Sequence, residues 1–187
     1  MLKKIYEWPH PVLKKTALPI GTYGDETIEL AQNLIDTCNV MMGVGLAAPQ
    51  IGSLKRMVVL DRNKLPLKQI TDQNGIDENY WVLINPVLEL SGERIKWVEG
   101  CLSIPRVEGP VERNTEVKLS YMTIDGEHKE IELPWPVSGA VQHECDHLDG
   151  IVYVLRQKKS QRHWTLKKYW KKKKKFEREL KRNRANV

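Results

Sequence analysis

The chain has 187 residues, enough for one domain with a real core and short for two. With 41% hydrophobic and 29% charged residues it has the composition of a soluble globular protein, and no stretch approaches the run of about eighteen apolar residues that a membrane helix needs. The net charge of +6 is unevenly divided: from Arg156 onward there are 15 Lys and Arg against two Glu, a balance of +13, so residues 1–155 carry −7. The basicity belongs to a tail, and an isoelectric point near 9.2 does not make the body a nucleic-acid binder.

The opening MLKKIYEWPHPVLKK has lysines but neither an apolar run nor a small-residue cleavage site, so it does not read as a signal peptide. Cys38, Cys101 and Cys145 form no disulfide framework, and the two observations together imply a reducing, cytoplasmic setting without disulfides. The first twenty residues alternate proline turns with short apolar runs. A helix is predicted from Thr27 to Met42, capped by Asp25, because Ile28, Ala31, Leu34, Ile35, Cys38 and Met42 recur at three-to-four spacing. Gly43 and Gly45 end it.

Strand character follows in RMVVL (56–60), YWVLINPVLEL (80–90), EVKLSYMTI (116–124) and KEIEL (129–133), with DG at 125–126 as a hairpin turn. Residues 61–79 are polar and turn-rich, a surface loop. PWP at 134–136 stops the last strand, and a second helix is expected from Val137 to Leu148, closed by Asp149-Gly150. IVYVL (151–155) is a short apolar run, and a basic helical segment ends the chain. The pattern is α+β and single-domain, with a helix against antiparallel strands. Residues 1–155 form the domain and 156–187 a basic C-terminal extension.

The second helix contains HECDH. Residues four apart lie on one helix face, so His143 and His147 can grip one ion while Glu144 reaches a water bound to it. A catalytic site needs a third protein ligand and an open fourth position. Downstream, His163, Glu177 and Glu179 lie among lysines that oppose metal capture. Upstream, Cys101 offers a thiolate suited to a borderline-soft ion. Cys145, two residues from His143, points off the histidine face and reads as a small buried hydrophobe, as does Cys38 on the first helix. Spacing alone does not bring Cys101 to the histidines.

Three separated stretches supply the missing link. GVGLAAPQ (43–50), EGCLS (99–103) and QHECDHLDG (142–150) resemble, in order, the three motifs of the peptide deformylases, and WPHPVLKKTALPI is similar to that family's opening segment. The resemblance covers residues 5 to 155. It implies an α+β fold with a central HExxH helix and hydrolysis of the N-formyl group from the initiator methionine of nascent polypeptides, releasing formate. It also implies one divalent metal per chain, Fe²⁺ physiologically, with Zn²⁺, Ni²⁺ or Co²⁺ able to occupy the site. Cys101, His143 and His147 would hold the metal. Glu144 would be general base and then acid, and Gln50 and the Leu102 backbone N–H would contact the formyl oxygen. Gly43, Val44, Gly45, Glu99, Gly100, Gly139 and Ala140 would line the substrate cleft.

Two positions depart from the family pattern near the chemistry or the chain start. His10 replaces an acid between two prolines, a local change. Gly139 replaces a larger residue bordering the methionine pocket, and is expected to widen it. The Asp that relatives often carry beyond the glycine is also missing after Gly150. The basic tail, with Leu166, Tyr169, Trp170, Phe176 and Leu180 near one side and Lys173 interrupting them, is similar in placement and charge to tails that contact the ribosome near the tunnel exit. Lys171, Lys172, Lys173, Lys174 and Lys175 are the contact candidates. Two other classes are an HExxH protease cutting internal bonds, disfavoured by the cysteine ligand, and a noncatalytic ribosome- or RNA-binding protein with a structural metal, which would have no chemical need of Glu144.

Overall fold

The computed structural model describes residues 1–66 and 76–185. Five strands form one antiparallel sheet in the order β1-β2-β3-β4-β5: β1 (Gly45–Ala47), β2 (Met57–Asp61), β3 (Tyr80–Cys101), β4 (Ile104–Met122) and β5 (His128–Leu133). The helices are α1 (Asp25–Val40), α2 (Val137–Leu148), α3 (Tyr153–Arg156) and α4 (Lys159–Ala185). The fold is α+β. The loop expected over 61–79 lies partly outside the described residues.

The sheet is covered on both faces where MVVLD and YWVLI run, which is why those strands read as continuous apolar runs. Alternate side chains enter two cores. Val58, Leu60, Trp81 and Leu83 meet Val137, Val141, Cys145 and Leu148 of α2. Met57, Val59, Val82 and Ile84 meet Ala31, Leu34, Ile35 and Cys38 of α1. Each fully buried aliphatic side chain contributes about 1.5–3 kcal/mol. A third cluster joins Trp8, Leu13, Ile104, Val107, Val111, Val152, Tyr153, Val154 and Tyr169, and it binds the N-terminal segment and α4 to the far half of β4.

Helix α1 begins at Asp25, so the expected cap is displaced. The capping position is Gly24, which has no side chain to cap with, and the Asp25 and Glu26 carboxylates sit in the first turn where the helix dipole favours them. The helix ends at Val40, two residues early, as the chain turns through Met42 at φ +53°. The β3–β4 hairpin is far longer than the periodicity of 80–90 and 116–124 suggests. Pairing continues through Arg94↔Asn114 and Trp97↔Val111 to Cys101↔Ile104, and a register shift between Ser91 and Arg94 falls at Gly92, whose φ is +69°. Most side chains of 90–98 are exposed, so backbone pairing holds this stretch and no burial alternation announces it.

Helix α4 packs on the body across the 155/156 boundary. Tyr169 is 1% exposed and its hydroxyl donates to the Trp8 carbonyl at 2.8 Å. Lys173 does not interrupt the apolar side: its Nζ lies 2.8 Å from Glu7 Oε2 and donates to the Tyr169 hydroxyl, so the helix's inward face is completed by an ion pair. Replacing Tyr169 by Ala should lower unfolding free energy by about 3 kcal/mol, through a lost buried ring and an orphaned carbonyl. Urea denaturation at constant m-value would measure it.

Candidate metal centre

His143, Glu144 and His147 project from α2, and Cys101 ends β3. The Cys101 thiol and one nitrogen of each histidine lie within 4.8 Å of one another, and Cys101 Sγ stands 3.2 Å from His147 Nε2. A thiolate and two imidazoles on this spacing fit a transition metal of the Fe²⁺ or Zn²⁺ kind. Glu144 is buried, and its Oε2 makes no hydrogen bond within the protein, so this oxygen calls for a polar guest. Burial, only partly offset by His143, pushes the Glu144 carboxyl up to about 7.

The two histidines are in opposite electrostatic settings. His147 is held well below its ordinary pKa by burial and by the neighbouring His143. Burial alone would depress His143 too, but hydrogen bonds to Cys101 and Glu99 carry it well above the usual imidazole range. His143 Nδ1 meets Glu99 Oε2 at 2.7 Å, which fixes the ring and leaves Nε2 for a ligand. Glu99 in turn receives Arg113 Nε at 2.7 Å and Nη2 at 3.0 Å. Burial would raise the Glu99 carboxyl, yet His143 and Arg113 outweigh it and hold it near 2. Arg113 Nη1 also donates to Asp146 Oδ2 at 2.6 Å, and Arg156 of α3 closes on the same carboxylate.

Gln50 is equally constrained. Ala47 N–H donates to its Oε1 at 2.8 Å, which turns the Nε2 group toward Ser103 Oγ at 3.2 Å and Cys101 Sγ at 3.6 Å. An amide so held presents donors to the site. Gly43 and Gly45 are glycines for lack of room: a Cβ on Gly45 would stand 2.8 Å from Leu60 and 2.9 Å from Glu144, and one on Gly43 3.0 Å from Leu102. Between them Val44 is 44% exposed, and its carbonyl accepts from Asp61 N–H. Gly100 is exposed, whereas Ala140 is half-buried against the core under α2.

Gly139 does not leave a wider pocket. A Cβ there would lie 2.6 Å and 2.9 Å from ring atoms of Trp135, whose indole takes the space. A cleft of about 490 Å³ opens beside Cys101, lined by Gly100, Ile104, Arg106, Val107, Glu108 and by Lys168 and Lys172 of α4. A cavity of about 540 Å³ behind α2, which includes Cys145, contains none of the three ligand residues. Cys38 is buried, with its thiol pushed up to about 12 chiefly by burial, and all three cysteines are free thiols.

The lysine run divides. Lys172 Nζ donates to the Arg106 carbonyl at 2.7 Å and Lys173 pairs with Glu7, so two of the five are bound to the body, while Lys171, Lys174 and Lys175 are exposed. Arg106 itself stands at φ +67° with its guanidinium 3.4 Å from the Phe176 ring centre.

The polypeptide deformylase family profile matches residues 2–163. The chain belongs to the peptide deformylase family. It is 36% identical to a peptide deformylase of Dictyoglomus thermophilum over 83% of this chain and 93% of that one. It is 40% identical to the peptide deformylase of Carboxydothermus hydrogenoformans over 81% and 90%. The crystal structure of a peptide deformylase from Legionella pneumophila superposes with a TM-score of 0.81 at 30% identity, covering 95% of this chain and 99% of that one. As a deformylase the chain is a metal-binding hydrolase, and no helix among its described residues is long and apolar enough to cross a membrane.

Arg113, Asp146 and Ser103 escape a reading of the sequence for ligands. Asp146 lies inside HECDH, and an acid beside a ligand histidine is itself a signal for a supporting partner. Replacing Arg113 by Met would leave two buried carboxylates short of a counter-charge. Stability should fall by about 3–5 kcal/mol in urea unfolding, and metal affinity by about 10–100-fold as Glu99 loses its hold on His143.

Proposed function

We propose that this enzyme removes the formyl group from N-formylmethionyl nascent peptides with Cys101, His143 and His147 holding one divalent ion, Fe²⁺ in the cell and Zn²⁺, Ni²⁺ or Co²⁺ in preparations. The observation that carries this assignment is the convergence of the three ligand atoms beside a buried carboxylate that lacks a partner. When bound, such an ion supplies Lewis acidity and a lowered pKa for water.

A formamide is a poor electrophile, so the residues must prepare both water and carbonyl. Glu144 takes the proton of the attacking water and returns it to the leaving amine, a role suited to a carboxyl near 7. The Gln50 Nε2 group, oriented by Ala47, and the Leu102 backbone N–H stabilise the developing negative oxygen, each for about 3–4 kcal/mol. Gly43 and Val44, which lead into the edge strand β1, and Gly45 at its start pair with substrate backbone, with Glu99, Gly100, Gly139 and Ala140 on the facing side. Residues 1–155 contain this whole apparatus, and 156–187 form the basic extension. The exposed Lys171, Lys174 and Lys175 dock on ribosomal phosphates near the tunnel exit, while Lys172 and Lys173 fasten the helix to the body. Action on nascent chains supports a cytoplasmic setting.

Formate release from N-formyl-Met-Ala-Ser tests the reading. Protein purified without oxygen and loaded with Fe²⁺ or Ni²⁺ should release formate, and Glu144→Gln should keep one metal per chain while kcat falls about 10²–10⁴-fold. Cleavage of internal bonds in an unformylated peptide would instead point to the protease class. A chelator should abolish turnover, and adding Ni²⁺ back should restore it. On the tail, Lys171, Lys174 and Lys175 changed together to Glu should weaken ribosome binding and flatten its salt dependence in sedimentation assays. Formate release from the tripeptide should persist.

A further inference from the structure

Strand β2 ends at Asp61 and the chain turns away, just where the cleft-lining segment 43–45 needs a neighbour. The last register pair of β1 and β2 is Gly45 with Leu60. Beyond it, two groups of the turn continue the pairing. Asp61 N–H donates to the Val44 carbonyl at 2.8 Å, and the Lys64 ammonium donates to the Gly43 carbonyl at 2.9 Å. Asp61 also holds the lysine in place: its Oδ2 lies 2.9 Å from Lys64 Nζ, while its Oδ1 accepts from the Asn63 N–H at 2.9 Å and shapes the turn. Asp61 is 6% exposed, so its carboxylate depends on that cation.

A trans peptide unit is planar, and its C=O and N–H point in opposite directions. The Gly43 carbonyl and the Val44 N–H belong to one such unit. By gripping the carbonyl, Lys64 therefore turns the Val44 N–H away from itself. That N–H has no hydrogen-bond acceptor among the described residues, whereas the Gly43 N–H is closed on the Cys38 carbonyl at 2.9 Å. Val44 is 44% exposed, and it adjoins Gly45, whose missing Cβ leaves room for Glu144.

We propose that Lys64 is a positioning residue for the substrate: it fixes the Gly43–Val44 peptide unit so that the Val44 N–H donates to a main-chain carbonyl of the formylated peptide. The inference rests on the deformylase reading. Glycine at 43 leaves the torsion on its side of the unit little restricted, so without the lysine the unit is free to rotate. A cation on the carbonyl also polarises the amide, which makes the N–H a better donor as well as a better aimed one. Lysine suits the task, because one ammonium with three donors reaches a carboxylate and a carbonyl on different segments.

The donor acts on substrate backbone, so its loss should appear only with substrates that have that backbone. N-formyl-Met-Ala-Ser is to be compared with N-formyl-3-(methylthio)propylamine, which keeps the formamide and the thioether but has no carbonyl beyond the formyl group. In Ni²⁺-loaded protein, Lys64→Met should lower kcat/KM for the tripeptide about tenfold, mostly through KM, and leave the short formamide, measured as substrate or as competitor, within about twofold of wild type. Lys64→Arg, which keeps the charge and the donors, should recover most of the loss. Should Lys64→Met fail to fold with Asp61 left uncompensated, Asp61→Asn combined with Lys64→Met removes both charges and reads the same comparison.

An equal loss on both substrates, or no loss on either, would overturn the proposal while leaving deformylation intact. Absence of formate release from the tripeptide by the metal-loaded wild type would remove the deformylase reading and this inference with it.

Discussion

The arrangement of this molecule turns on one buried guanidinium. Arg113, 4% exposed on β4, faces Glu99 on β3 and Asp146 on α2, and Asp146 also receives Arg156 from α3. A lone charge at that depth would cost several kcal/mol, so the group is tolerable only as a complete set of two cations and two carboxylates with their hydrogen bonds made. Completeness is what makes it informative about position. Each member can satisfy its neighbours only if helix and hairpin meet at one rotation and one register. His143 hangs from this network through Glu99, so the orientation of a metal-ligating ring is set by a cation that touches no ligand.

The same site holds two buried glutamates with opposite fates. Glu99 is surrounded by donors and stays ionised near 2, whereas Glu144 has burial without a donor on Oε2 and moves to about 7. Identical side chains thus divide, through environment alone, into an ionised carboxylate that orients His143 and one whose pKa rises into the range that proton transfer needs. Gly45 belongs to that division. A side chain there would collide with the Glu144 carboxylate, so the bare backbone of β1 keeps the acid's approach clear.

How much of this was legible in the sequence depends on the kind of signal. Helix α2 could be read to its ends, since proline before it and Asp-Gly after it are local signals, and the histidine spacing needs only helix geometry. The strands YWVLI and MVVLD could be read because both their faces are buried. The stretch from Gly92 to Lys96 could not: all of it but the half-buried Ile95 is exposed, and pairing across the hairpin holds it extended. Bringing Cys101 to His147 is likewise a long-range event, 46 residues apart, which no periodicity encodes and only the ordered set of motifs implied. Arg113 lies just before the strand read at 116–124, and nothing in the sequence sets it apart from the other charges. Gly139 could be seen as unusual from the sequence, yet the ring that fills its space comes from Trp135 before the helix, a contact between a turn and a helix face that spacing does not announce.

The tail shows why a charge run should be divided by geometry before it is assigned a partner. An exposed helix with a block of five lysines would repel itself, but here Tyr169 is buried against Trp8 and Lys173 is neutralised by Glu7, so packing holds together what electrostatics would push apart. Lys173 is thereby committed to Glu7 and Lys172, though exposed, to the Arg106 carbonyl, while Lys171, Lys174 and Lys175 are displayed on the outer side of a helix that packs on the body. Lys172 and Phe176 also hold Arg106 in its left-handed conformation, five residues beyond Cys101, and Lys168 and Lys172 wall the cleft that Cys101 opens into. A polyanion bound along the outer lysines would therefore sit on the same helix that borders the cleft. On the proposed reading, a phosphate surface held by the outer lysines would be set beside the mouth of this cleft without any change in the fold.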